Sequence, residues 1–237
     1  MQMNEPAEMA LAVKTDWRPL YRVAFAAIVI MIVLIPIQIA VFFLAPPPTT
    51  AEGFLNLFAQ NPWLGLLSLD LLYIINSILM IPLYLALFIA LRGTGSVWPA
   101  LAVTSGFVGL AAYFPSNPAF EMLRLSQRLT EVATEAQRQA LLASAETLLA
   151  IYVGTAFNVY YVLNAAALIL LASSMLRSHV FSRSTGRIGL ISGLLMIIPS
   201  TAGTLGLVFS LLSLIPWIIF ASLIGVRFYH LGRSASL

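Results

Sequence analysis

Residues 23–51, VAFAAIVIMIVLIPIQIAVFFLAPPPTTA, lie between Arg22 and Glu52 and form a run of 29 residues without a charge. A charge near the bilayer centre costs about 2.5–3.5 kcal/mol, so runs of this kind mark where a chain crosses hydrocarbon. About 20 helical residues cover the roughly 30 Å of a bilayer core. From Ala26 to Ile35 the run is apolar on every face. A membrane β-strand would instead alternate between apolar and polar positions. A transmembrane helix is the expectation, and it sets the reading of the rest of the chain.

Four further charge-free runs follow: 21 residues between Asp70 and Arg92, 28 between Arg92 and Glu121, 30 between Glu146 and Arg177, and 39 between Arg187 and Arg227. The last is long enough for two crossings, and its middle carries the breaker-rich segment Pro199-Ser-Thr-Ala-Gly-Thr-Leu-Gly206. An all-α bundle of six transmembrane helices is predicted, with spans at about 21–44, 66–91, 97–114, 146–174, 187–203 and 207–228. Short tails, 1–20 and 232–237, flank the 21–231 transmembrane domain.

Composition agrees. Of 237 residues 60% are hydrophobic and 9% charged, against about 25% charged in a soluble domain, and mean hydropathy is +0.96. An ordinary soluble enzyme is excluded. The lipid bilayer is the first partner. The absence of cysteine removes disulfides and thiolate metal sites.

With six spans both termini share a side. That side holds Lys14, Arg18, Arg22, Arg92, Arg177, Arg183, Arg187, Arg227 and Arg233, whereas the other holds Arg124, Arg128 and Arg138. The positive-inside rule therefore puts both termini in the cytoplasm. Trp17, Tyr21, Trp98 and Tyr229 fall at the inner boundary and Trp63 and Tyr113 at the outer; Trp217 fits neither belt. Topology accounts for the net charge of +3, and no nucleic-acid partner is implied.

Two outer segments have helical character. After Pro46, Pro47 and Pro48, the spacing of Phe54, Leu57 and Phe58 predicts a short interfacial helix. Residues 116–145 form an amphipathic helical loop between spans three and four, with Met122, Leu125, Leu129, Val132 and Ala136 on one face. Asn117 and Pro118 suit its start, and Thr134 with Gln137 suits a restart after a bend. Such a helix is either a connector lying on the helix tops or a lid.

Polar residues within the spans gather toward the outer side: Gln38, Asp70, Asn76 and Ser77, Asn158, Tyr161 and Asn164, and Ser200, Thr201 and Thr204 around the outer hairpin turn. Polar groups in hydrocarbon need partners, so the outer halves are predicted to enclose a hydrogen-bonded or hydrated space. The candidate ligand-binding residues of such a vestibule are Gln38, Asp70, Asn76, Asn158, Tyr161, Asn164, Ser200 and Thr204. Ile-Pro pairs at Pro36, Pro82, Pro199 and Pro216 predict kinks, and Gly189 with Gly193 predicts close helix packing.

No catalytic residues, metal ligands or cofactor are assigned. His179 and His230 lie in flanking segments, and neither HExxH, GxSxG nor a phosphate loop occurs; Gly93-Thr-Gly95 is too short to cradle a nucleotide. An intramembrane enzyme acting on lipid would need Asp70 and Glu146 to converge. The segments Asp16-Trp-Arg-Pro-Leu-Tyr-Arg22, Asn61-Pro-Trp-Leu-Gly-Leu-Leu-Ser-Leu-Asp-Leu-Leu-Tyr73, Ala119-Phe-Glu-Met122 and Gly154-Thr-Ala-Phe-Asn-Val-Tyr-Tyr161, together with 199–206, resemble a bacterial integral-membrane family, domain-of-unknown-function family 4386. The resemblance runs from about residue 16 to 230 and implies a six-helix inner-membrane protein, without supplying an activity. The expectation is a membrane protein that binds or transports a small molecule or lipid through the vestibule, with a scaffold subunit for a membrane-protein partner as the alternative.

Overall fold

The computed structural model describes residues 15–94 and 97–233. The expected tails fall largely outside this range, as do Lys14 and Gly95. The described residues are all-helical: α1 (Arg18–Leu44), α2 (Ala51–Gln60), α3 (Pro62–Ser68), α4 (Leu71–Leu91), α5 (Trp98–Tyr113), α6 (Ala119–Leu129), α7 (Glu135–Tyr152), α8 (Thr155–Met175), α9 (Arg183–Leu195) and α10 (Gly203–Arg233).

Local chemistry sets the helix ends. Pro19, Pro62 and Pro99 lie in first turns, where a missing N–H costs nothing. Thr50, Asn61, Thr134 and Ser182 accept first-turn amides of α2, α3, α7 and α9. The Thr134 oxygen takes the Gln137 N–H at 3.3 Å, so the restart expected within the outer loop is present. Asn117 also caps, accepting from the Ala119 N–H at 3.0 Å.

Four stretches are long and apolar enough to cross a membrane by length and composition: Arg18–Leu44, Leu71–Thr94, Glu135–Met175 and Gly203–Arg233. The six crossings expected from charge-free gaps exceed this number because α5 has 16 residues and α9 has 13. Charge-free gaps overstate helix length wherever a turn carries no charge. Thus residues 66–68 belong to α3, residues 146–152 belong to α7, and residues 196–202 form the turn before α10. Pro199 lies in that turn, while Pro36, Pro82 and Pro216 lie inside helices.

The helices form two layers. In the larger, α1, α4, α5, α8, α9 and α10 pack in a closed circuit, each against the next and α10 back against α1. Its core includes Ile28, Met31, Leu87, Leu91, Leu110, Leu171, Met175 and Phe228. Trp217, which fits no interfacial belt, packs against this core. Gly189 and Gly193 give the expected close packing: a Cβ at either would fall 2.6 Å from the Phe220 ring or 2.7 Å from Ile169. Exposed aliphatic side chains run along the outside, including Val29, Val33, Ile78, Leu85, Leu211, Ile215 and Ile219. So continuous an apolar exterior is suited to lipid.

The smaller layer is a cap of α2, α3, α6 and α7 over one end of the bundle. Its own core contains Phe54, Leu55, Phe58, Leu66, Leu69, Met122 and Ala145. The Ser126 hydroxyl bonds the Leu55 carbonyl at 2.7 Å, and Arg138 pairs with Glu52 at 2.5 Å. The amphipathic face predicted for 116–145 is buried through Met122, with Leu125 and Leu129 packed beside it, whereas Ala136 is exposed. The 116–145 loop is therefore two helices that cover the bundle together with α2 and α3.

Candidate functional site

Asp70 occupies the joint between α3 and α4, where cap meets bundle. Its backbone is left-handed (φ 61°, ψ 35°), the only positive φ at a non-glycine position among the described residues. Its carbonyl accepts the Tyr73 and Ile74 amides at 2.9 and 3.0 Å, starting α4. An aspartate there ordinarily turns its carboxylate onto the first-turn N–H groups. Here the side chain makes no capping bond and accepts the hydroxyl of Tyr152, the last residue of α7. Burial pushes the Asp70 carboxyl up to about 6, and the Tyr152 hydrogen bond pulls the other way.

Below this pair lies a buried polar column shared by α4, α5 and α8. The Tyr73 and Tyr160 hydroxyls are 2.7 Å apart, and both rings contact Tyr113, with centroids at 5.3 and 4.9 Å. Deeper, Tyr84 donates to Asn164 Oδ1 at 2.5 Å while Asn164 Nδ2 donates to the Tyr160 carbonyl at 2.9 Å. From Tyr73 to Tyr84 is about 16 Å along α4 at about 1.5 Å per residue, so the column reaches toward mid-bundle. Two glycines of α5 make room. A Cβ on Gly106 would lie 2.6 Å from the Tyr84 ring, and one on Gly109 would lie 2.4 Å from Asn164 Nδ2.

Three buried oxygens have no hydrogen-bond partner among the described residues: Gln38 Oε1, Ser68 Oγ and Ser77 Oγ. Gln38 reaches from α1 to the joint, its Nε2 donating to the Leu67 carbonyl at 3.3 Å. Ser68 precedes Asp70 by two residues. Ser77 follows it by seven, two helical turns deeper on the same face of α4. Buried polar atoms in folded proteins nearly always have a protein or water partner, so Gln38 Oε1 and Ser68 Oγ at the joint, and Ser77 Oγ about 10 Å deeper, each mark a place for a water or a solute donor.

The other predicted vestibule residues are distributed as follows. Asn164 and Tyr161 are buried on α8, Asn164 within the column. Asn158 Oδ1 accepts from Thr201 at 2.6 Å and its Nδ2 donates to the Gly154 carbonyl at 2.8 Å, joining α8 to the turn that holds Ser200. Asn76 and Ser200 are half-buried, and Thr204 is exposed in the first turn of α10. Hydrogen bonds thus tie Gln38 to the α3–α4 joint that holds Asp70, Asn164 into the column, and Asn158 to Thr201 next to Ser200, and they do not join these places to one another.

Sequence reasoning passes over Tyr73, Tyr84 and Tyr152, sees Tyr113 only as an aromatic of the outer boundary, and sees Asn117 only as a cap. The Asn117 amide also donates to the Leu69 carbonyl at 2.8 Å and the Tyr113 hydroxyl at 3.4 Å, tying the α5–α6 link to the joint. The signal for the tyrosines is that a phenol buried in an apolar span must find a partner. Glu146, the other acid considered for lipid chemistry, is exposed on α7. It precedes Tyr152 by six residues, about 240° around the helix, so Tyr152 and not Glu146 meets Asp70.

The site is rich in hydroxyl and amide groups around one titratable carboxyl. It can hold a proton and hydrogen-bond a polar solute. Among the described residues no three His, Cys, Asp or Glu side chains group to hold a metal. A family model described as a domain of unknown function, DUF4386, matches residues 20–229. No curated protein and no solved structure matches the chain.

Proposed function

The chain belongs to the DUF4386 family, whose description assigns no activity, and from the site itself we propose a membrane protein that binds and transports a small polar solute at Asp70. The observation that carries this reading is the pair of unpartnered oxygens at the α3–α4 joint, Gln38 Oε1 and Ser68 Oγ, on the segment that holds a carboxyl whose partner, Tyr152, belongs to the cap. A solute with donor groups, neutral or cationic, satisfies the two joint oxygens and the carboxylate, and Ser77 Oγ stands about 10 Å deeper along α4. Asn76, Tyr161 and Asn164 stand deeper along α4 and α8, and Asn158, Ser200 and Thr204 belong to the turn between α9 and α10 and its neighbours.

In this reading the chain crosses a bacterial cytoplasmic membrane six times. The closed circuit of α1, α4, α5, α8, α9 and α10 supports that number. The short α5 and α9, about 24 and 20 Å at about 1.5 Å per residue, need local bilayer thinning or tilted neighbours. Arg18, Arg22, Arg92, Arg177, Arg183, Arg187, Arg227 and Arg233, eight of the twelve basic residues, belong to the end opposite the cap, and by the positive-inside rule this supports a cytoplasmic position for that end and both termini, with the cap outside.

A scaffold role for a membrane-protein partner is the second reading. It is favoured by an open groove of about 580 Å³ between α6 and α7, lined by Phe120, Glu121, Arg124 and Leu148 among others. Purification in mild detergent separates the two: a stably retained second protein favours the scaffold.

The cysteine-free chain makes the test clean. Single cysteines replace Gln127 in the cap, Ser178 in the 176–182 link and Asn76 in α4, about 9 Å past the joint. An impermeant maleimide applied to intact spheroplasts is expected to label Gln127→Cys and to spare Ser178→Cys until lysis. A small thiol reagent is expected to reach Asn76→Cys in the folded protein. Labelling of position 76 only after denaturation sinks the vestibule, and labelling of position 178 in intact cells sinks the orientation.

A further inference from the structure

At the end opposite the cap, a groove of about 360 Å³ opens between the start of α1 and the end of α10, lined by Arg22, Phe25, Tyr229 and Arg233. Its two arginines come from different helices. Arg22 Nε donates to the Gly232 carbonyl at 2.9 Å, and α10 approaches so closely there that a Cβ on Gly232 would sit 2.9 Å from Arg22 Cγ. That bond uses one N–H of the guanidinium and fixes its position. The Arg233 guanidinium lies 5.0 Å from the Tyr229 ring centroid and donates to the Tyr229 hydroxyl. Phe25 and Tyr229, with centroids 5.3 Å apart, form the floor.

Among the described residues neither arginine has a carboxylate partner. Asp16 is engaged by Arg18 through both oxygens at 2.8 Å, and Glu52 is engaged by Arg138 in the cap. No ion pair involves Arg22 or Arg233 among the described residues. Two positioned guanidinium groups over an aromatic floor match a phosphate diester, for which arginine supplies fork-shaped donors.

The surface below the groove names the source of that phosphate. On α10, Arg233 and Tyr229 continue into Val226, Ile219 and Ile215 at helical spacing, and these three are 56%, 47% and 63% exposed. On α1, Arg22 and Phe25 continue into Val29 and Val33, 45% and 52% exposed. The two helices pack side by side, with Gly225 against Ile28. A charged head at the helix ends followed by a paired apolar track is the shape of one phospholipid. We propose that the α1–α10 groove is a binding site for an anionic phospholipid, its phosphate between Arg22 and Arg233 and an acyl chain along Val226, Ile219, Val29 and Val33. The site is separate from Asp70 and does not depend on the solute reading.

The test uses the full-length protein in a non-ionic detergent, titrated with phosphatidylglycerol, with phosphatidylcholine of the same acyl chains, or with inorganic phosphate, and read by thermal melting and native mass spectrometry. Phosphatidylglycerol is expected to raise the melting temperature and remain bound as one molecule, while the other two do neither. Arg233 is exposed, so Arg233→Gln keeps the fold and is expected to weaken phosphatidylglycerol about fivefold. Arg124→Gln in the cap leaves binding unchanged. Equal stabilisation by phosphatidylcholine overturns the headgroup site. Equal stabilisation by phosphate alone assigns the groove to a soluble anion and overturns the lipid. Unweakened binding in Arg233→Gln overturns the location.

Discussion

The carboxylate of Asp70, at the head of α4, accepts the hydroxyl of Tyr152, at the end of α7, and so fastens the cap to the bundle across 82 residues of sequence. The two layers have separate cores, so the contacts at this joint decide how firmly the cap is seated. Tyr152→Phe keeps the ring and removes the donor. Leaving a buried acceptor short of a partner costs about 1–3 kcal/mol. Hydrogen exchange is expected to accelerate in α7 and α3 and to stay unchanged in α8 and α10. Uniform acceleration through the chain would show that the bond stabilises the whole fold and not the cap's seat.

The same carboxyl makes cap seating depend on pH. Its value rises from 3.8 to about 6 on folding, so the folded state binds the proton more tightly. The resulting stabilisation is fully present below about pH 4 and is lost as pH rises through about 6. A shift of this size corresponds to roughly 2 kcal/mol at most after allowance for partial exposure. The melting temperature in detergent is expected to climb as pH falls from 7 to 5, and Asp70→Asn is expected to flatten that climb. A wild-type and a variant curve of equal slope would remove Asp70 as the titrating group.

The column depends on α5 lying close to α8. Gly109 leaves space for the Asn164 amide, and the Tyr160 carbonyl would stand 3.2 Å from any Cβ there. Gly109→Ala is therefore expected to separate the helices or to break the Tyr84–Asn164 bond, at a cost of about 1–3 kcal/mol, as in other overpacked cores. Gly93, with nothing within 4 Å of a Cβ, is the control whose alanine variant keeps its melting temperature. Equal melting temperatures for both variants would show that α5 has freedom to shift.

These sites differ in how far the sequence discloses them. Local chemistry is legible: the apolar runs, the Thr134 restart and the Asn117 cap each depend on residues within a few positions of one another. The α3–α4 break is not, because Leu66-Leu-Ser-Leu-Asp-Leu-Leu-Tyr73 contains neither glycine nor proline. The chain turns left-handed at Asp70, an aspartate being one of the few residues that tolerates it, while Tyr152 and the Leu69 carbonyl are held from elsewhere. The column is hidden for the same reason. Its pairs, Tyr73 with Tyr160 and Tyr84 with Asn164, are separated by 87 and 80 residues, and no periodicity reports a partner at that distance. The polar residues of the outer halves are visible as a set, but which partners Gln38, Asn158 and Asn164 find depends on helix rotation, which a helix apolar on all faces does not encode.

Asn117 separates local from tertiary chemistry most sharply. It accepts from the Ala119 N–H, as any capping residue would, and it donates to the Leu69 carbonyl and the Tyr113 hydroxyl, which only an amide here can do. Aspartate and serine are both good caps but lack the amide donors. If capping were its whole role, Asn117→Asp and Asn117→Ser would stay within about 0.5 kcal/mol of the parent, as good caps exchange for one another. With the tether counted, Asn117→Ser is expected to lose about 1–3 kcal/mol, from an unpaired Leu69 carbonyl in a buried place. Asn117→Asp is expected to lose more, because it also sets an anion against that carbonyl. Chemical or thermal unfolding of the three proteins ranks them, and the order parent, serine, aspartate is the expected result. An aspartate variant as stable as the parent would reduce Asn117 to a helix cap and leave the joint to Asp70 and Gln38.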